Sequence, residues 1–80
     1  MNIHSSALKH GIDPDDSLHA AASPVYRAWL DDDSPSRELL LGFDRQARLL
    51  EIVVLTFDSG DQLVIHSMRA RRQYYDLLQG

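Results

Sequence analysis

Several side chains near the two ends of this chain are of types that could bind and work on a phosphate. Lys9 and His10 stand together near the start, while His66, Arg69, Arg71, Arg72 and Tyr74 fall within nine residues near the end. Arginine's planar guanidinium can hold two phosphate oxygens at once, so three arginines in four positions form a cationic cluster suited to that task. Imidazole gains and loses a proton near neutrality, which makes His10 and His66 candidates for acid–base work. Tyr74 and Tyr75 could stack on a base or position a phosphate. Each has a plainer reading. The arginines could be a solvated helix edge, with Arg72 paired to Asp76 four residues on. Lys9 and His10 are cations of the kind favoured at any helix C-terminus. His66 could be a half-buried strand histidine, Tyr74 a core residue and Tyr75 a surface one. Glu38, beside Arg37, could serve as a base or simply guard a strand edge. The four histidines, His4, His10, His19 and His66, lack ligand spacing such as His-x3-His, so no metal site is expected.

The elements that must position these residues read as follows. Residues 4–10 form a short helix stopped by Gly11. A second helix starts at the Asp13 cap with Pro14 in its first turn and Asp15 and Asp16 behind it, and runs to about Ala22, where Ser23-Pro24 ends it. Leu18, Ala21 and Ala22 are expected on its inner face. Val25–Leu30 leans towards a strand by its β-branched and aromatic content, with Trp29 in the core or, if the segment is a loose edge, an anchor for a partner. The run Asp31-Asp32-Asp33-Ser34-Pro35-Ser36 is a solvated loop. Arg37–Phe43, Arg48–Phe57 and Gln62–Met68 are three β-prone runs joined by connectors of hairpin length, an antiparallel meander. The middle run is apolar on both faces apart from Glu51 and Thr56, as a covered central strand would be. Ala70–Leu78 closes the chain as a helix packed through Tyr74, Leu77 and Leu78. The expected fold is α+β: short N-terminal helices, a three- to four-stranded antiparallel meander sheet and a C-terminal helix.

Eighty residues, numbered 1–80, make a single domain. Such a chain buries only about 60–65% of its unfolded surface, and small domains often add disulfides or metal. This one has no cysteine, so disulfides and thiolate zinc sites are excluded, and a partner chain in a homo- or hetero-oligomer could supply the missing burial. The lack of cysteine fits a reducing cytoplasm, and no apolar stretch is long enough to span a membrane. The first residues, Met1-Asn2-Ile3-His4-Ser5-Ser6, do not read as a signal peptide. The net charge of −4 sits in residues 1–36, where two basic side chains face six aspartates; residues 37–80 are neutral, with six arginines against six acids. An acidic total opposes non-specific nucleic-acid binding but permits a local basic site, and it suits a basic partner.

Leu8-Lys9-His10-Gly11-Ile12, followed by Asp13-Pro14-Asp15-Asp16-Ser17, resembles a stretch of the BrnT-type toxins of bacterial toxin–antitoxin pairs. The meander from Arg37 and the run Ser67-Met68-Arg69-Ala70-Arg71-Arg72-Gln73-Tyr74-Tyr75 resemble the rest of that family's pattern, so the likeness covers most of the chain. The family is similar in fold to RelE-type ribonucleases. The resemblance implies a cytoplasmic ribonuclease that cuts RNA without a metal or other cofactor and is neutralised by a cognate antitoxin. On that reading Lys9, His10, Arg69, Arg71 and Arg72 are the catalytic set, and His66 and Tyr74 bind substrate. Such cleavage needs a base for the 2′-hydroxyl, an acid for the leaving oxygen and cations for the phosphate. The alternative is a non-catalytic protein-binding module on the same scaffold.

Overall fold

The computed structural model describes residues 1–31 and 33–79; Asp32, read from the sequence as part of an acidic loop, lies outside them. The elements are β1 (Asn2–Ile3), a 3-10 turn (Ser5–Leu8), α1 (Pro14–Ala22), β2 (Tyr26–Asp31), β3 (Ser36–Phe43), β4 (Leu49–Thr56), β5 (Gln62–Arg69), α2 (Arg72–Tyr75) and a final 3-10 turn (Asp76–Leu78). The strands form one sheet in the order β1-β5-β4-β3-β2. Among the described residues, no helix is long and apolar enough to cross a membrane.

This corrects the expected architecture. The sheet has five strands rather than three or four, and it is mixed rather than antiparallel, because β1 pairs in parallel with β5. The expected helix at residues 4–10 is a single 3-10 turn. His4 N–H donates to the Val64 carbonyl at 2.8 Å, and the Ser6 hydroxyl donates to the Ile65 carbonyl at 2.6 Å. The segment is therefore held to the edge of β5 as a continuation of β1. The C-terminal helix is shorter than expected and breaks into α2 and a 3-10 turn. Ala70 N–H still donates along the sheet to Leu49, and Arg71 N–H donates to the Glu51 side chain at 3.0 Å, so helical turns begin only at Arg72.

The β3–β4 and β4–β5 turns set the register of the central strands. Asp44 accepts from the N–H groups of Gln46 and Arg48, and Gly60 takes the positive φ of 91° that the second turn requires. One sheet face carries Leu40, Leu50, Ile52, Val54 and Val64 and is covered by Ala7, Ile12, Ala20 and Ala21. The buried face of α1 is thus Asp16, Ser17, Ala20 and Ala21, whereas Leu18 is only half-buried and Ala22 is exposed. Small residues win because α1 lies close against β3, where Gly42 faces the Ala20 backbone. Asp16 is 1% exposed and accepts from the Arg45 Nε at 2.8 Å, which ties the start of α1 to the β3–β4 turn. The Ser17 and Ser67 hydroxyls meet at 2.6 Å between α1 and β5.

The opposite face carries Leu39, Leu41 and Leu49, with Tyr26, Val53, Ala70 and Tyr74 packed against them. Among the described residues the C-terminal segment packs on it through Ala70 and Tyr74 while Leu77 and Leu78 stay exposed, so part of this face is open. Trp29 is 61% exposed on β2, an edge strand, rather than in the core.

Candidate active site

The open sheet face holds a charged side chain that a central strand would normally exclude. Glu51 sits in the middle of β4 and is 1% exposed. A buried carboxylate must be paired and hydrogen-bonded. Arg71 does most of this, donating from Nε to Oε1 at 3.0 Å, from Nη2 to Oε2 at 2.9 Å and from its own backbone N–H to Oε1 at 3.0 Å. His66 Nε2 completes the set at 3.0 Å from Oε2. Burial pushes the Glu51 carboxyl up, but the hydrogen bonds from the Arg71 side chain and backbone and from His66 together hold it below the ordinary glutamate value.

An ionised Glu51 can only accept, so the His66 Nε2 carries the proton and Nδ1 is left as the nitrogen free to take one. This is the arrangement by which a carboxylate orients an imidazole base. The β-bulge opposite Val53 and Val54 re-aims β5 at this point and makes His66 the partner of Val53. The ring of His10 meets that of His66 edge to face, with centroids 5.6 Å apart and planes at 75°. The 3-10 turn along β5 brings it there. The guanidinium of Arg71 lies 5.6 Å from the centre of the Tyr74 ring. A groove of about 300 Å³ opens over Glu51, His66, Arg71 and Tyr74, with Arg37 and Leu30 among its other walls.

The residues singled out from the sequence are therefore divided. His66, Arg71 and Tyr74 come together around Glu51, and His10 joins them through its edge contact with His66. Lys9 is exposed next to His10 and lines no described groove. Arg72 is exposed in the first turn of α2. Arg69 lines a different groove, with Phe43, Leu49 and Tyr75. Glu38 is buried on the other face, where Arg27 grips it through Nε and Nη2 at 3.0 Å each. Sequence reasoning did not count Glu51 among the site residues. The signal was present: a lone acid inside an apolar central strand has to be neutralised by something nearby. Among the described residues, no three His, Asp or Glu side chains come together in a way that could hold a metal ion.

Arg71→Ala would strip a buried carboxylate of its main partner. Breaking a pair of which both members are buried costs about 3–5 kcal/mol. Arg71 is half-exposed, so water recovers part of the loss, and a fall in melting temperature of about 10 °C is expected for a domain of this size. The gap from wild type is greatest near neutral pH and narrows on acidification, because protonated Glu51 no longer needs Arg71. A gap equally wide at pH 7 and pH 4 would show that the ion pair is not what the arginine contributes.

Hydrogen bonds from the Arg45 side chain hold Asp16 below the ordinary aspartate value; Asp44 is pushed up by burial but is held low by the N–H groups of Arg48 and Gln46 and the Arg48 side chain. Glu51 shifts the same way. Carboxyls depressed by folding add stability that is complete above their unfolded values, about 4, and is lost as pH falls below them. Melting temperature is expected to be level from about pH 7 to 5 and to drop steeply below about pH 4. Thermal melts across that range measure it, and a flat profile down to pH 3 would contradict these pairings.

No protein-family model, curated protein or solved structure matches the chain.

Proposed function

We propose that this chain is an RNA-cleaving toxin of the BrnT type, acting in the cytoplasm without a metal and held in check by an antitoxin. The observation that carries the reading is the pair of imidazoles, His10 and His66, beside a carboxylate that orients one of them and an arginine that shares the same groove. Transfer at an RNA phosphodiester needs a base, an acid and a cation within reach of one phosphate. His66, oriented by Glu51, takes the 2′-hydroxyl proton on Nδ1. The 2′-oxygen then bonds to phosphorus as the bond to the 5′-oxygen breaks, and His10 in its protonated form supplies the proton to that leaving oxygen. The products are a 2′,3′-cyclic phosphate and a 5′-hydroxyl. Arg71 offers Nη1 to the phosphate, since its Nε and Nη2 are held by Glu51. Lys9 adds positive charge beside His10.

One observation favours the second reading, a non-catalytic binding module. Val25, Trp29 and Leu30 are exposed in or next to the edge strand β2, where an extended partner could dock. In the toxin reading the same edge is available to the antitoxin.

The test is the integrity of total cellular RNA after induced expression, with ribosomes present. Wild type is compared with a His10→Ala/His66→Ala double variant. Fragmented RNA with the wild type and intact RNA with the folded variant is the expected result. Intact RNA and normal growth with both would move the assignment to the binding module.

A further inference from the structure

A second groove, at the end of the sheet beside the β3–β4 turn, has the composition of a nucleotide subsite. It is about 390 Å³ and is lined by Phe43, Leu49, Tyr75 and Leu78 on its apolar side and by Arg48 and Arg69 on its polar side. Phe43 is 45% and Tyr75 43% exposed, so two aromatic faces are left in water at the same place. The two arginines are not equivalent. Arg48 Nε is committed to Asp44 at 2.7 Å and its Nη2 lies 3.7 Å from Asp16. Arg69 forms no ion pair with any described residue. An unpaired guanidinium beside two exposed rings matches a planar base attached to a phosphate: the rings take the base by stacking and the fork takes two phosphate oxygens.

We propose that this groove binds one nucleotide of a single-stranded RNA, next to the bond that is cut. For its biological substrate the proposal rests on the RNA-cleaving reading; the groove's affinity for a nucleotide does not. The spacing along the sheet fits. Leu49, on the floor, lies four residues along β4 from Val53, the partner of His66, which is about 13 Å at the rise of a strand. Two nucleotide steps of an extended strand cover that length. α2 divides the two grooves, with Tyr74 lining one and Tyr75 the other. Stacking reads the π-face that every base has, so the subsite tolerates any base and contributes affinity more than sequence choice.

The experiment is an NMR titration of the whole labelled chain with adenosine 5′-monophosphate and, separately, with adenosine. Saturable shifts centred on Phe43, Leu49 and Tyr75 are expected, with adenosine binding at least tenfold more weakly than its monophosphate. Phe43→Ala and Arg69→Ala are each expected to weaken binding at least tenfold, and Phe43→Trp to retain it. Both residues are exposed, and circular dichroism of each variant verifies the fold. Binding unchanged in Phe43→Ala and Arg69→Ala, shifts centred on His66 instead, or no saturable binding would each overturn the proposal. The two readings separate cleanly. Nucleotide binding that depends on Phe43 and Arg69, in a protein that leaves RNA intact, keeps the subsite and removes the nuclease. RNA cleavage with nucleotide binding indifferent to both residues does the reverse.

Discussion

Under the proposed RNA-cleaving activity, replacing His66 by alanine is expected to slow cleavage about 100- to 10,000-fold, the usual range for removing a positioned general base, while the fold survives. The second half of that expectation is what gives the first its meaning. Among the described residues the His66 side chain makes one hydrogen bond, to Glu51, and is a quarter exposed. A bond to a charged group is worth about 1.5–3 kcal/mol, and with Arg71 still holding Glu51 the low end of that range applies, roughly 10 °C in melting temperature for a domain this small. Glu51 keeps its three hydrogen bonds from Arg71, so the buried carboxylate stays neutralised. His10→Ala is cheaper still, because His10 is exposed. Arg71→Ala lacks this clarity: it would remove a cation from the groove and a support from the core together, and lost activity could come from either. The rate of disappearance of full-length RNA in an extract that retains ribosomes measures the effect, with thermal melts of the same preparations. A well-folded His66→Ala protein that cleaves within threefold of wild type would take His66 out of the mechanism.

The parts of the fold that were legible in the sequence are those with a repeating signal. β3, β4 and β5 lie within a residue or two of the runs read from apolar content and turn residues, and α1 begins at its Asp13 cap and ends before Ser23-Pro24. The rest depended on contacts made by residues distant in sequence. β1 has two residues, too few for any periodicity, and becomes a strand only because β5 offers it an edge. Trp29 reads as core by its type, yet the order of the sheet puts β2 at the outside. Of the inner face expected for α1, Ala21 is buried, but Leu18 is half-buried and Ala22 exposed, because the close approach to β3 selects Ser17 and Ala20. Arg69, Arg71 and Arg72 are neighbours in sequence and stand in three settings in space, because the chain leaves the sheet and turns into α2 between them. His10 and His66, fifty-six residues apart, could be matched only once the 3-10 turn was seen to follow β5.

Among the described glycines, Gly42 is the one where an added methyl is expected to do the most damage. A Cβ at position 42 would run into the carbonyl oxygen of Ala20, with the carbonyl carbon only 2.9 Å and the Cα 3.2 Å away. The obstacle is helix backbone, so no side chain can rotate out of the way. Either β3 bends or α1 lifts. Lifting α1 would pull Ala20 and Ala21 from the core and strain the ties from Asp16 to Arg45 and Arg48. Overpacking of this kind costs up to about 3 kcal/mol when flexible groups can adjust, and here the rigid neighbour puts the cost at that end. A fall of roughly 15 °C or more in melting temperature is expected, a large part of the stability of a domain this small. Ala20→Gly offers no rescue, because the clash is with the carbonyl rather than the methyl. A double variant at least as unstable as Gly42→Ala alone is therefore expected, and a recovered melting temperature would mean that the side chain of Ala20 is the obstacle. The damage reaches the open face as well. Ile12, buried in the same core as Ala20, links α1 to Gly11 and His10, so a displaced helix carries His10 away from His66. Under the proposed activity, cleavage at temperatures where Gly42→Ala is still folded is expected to fall with it.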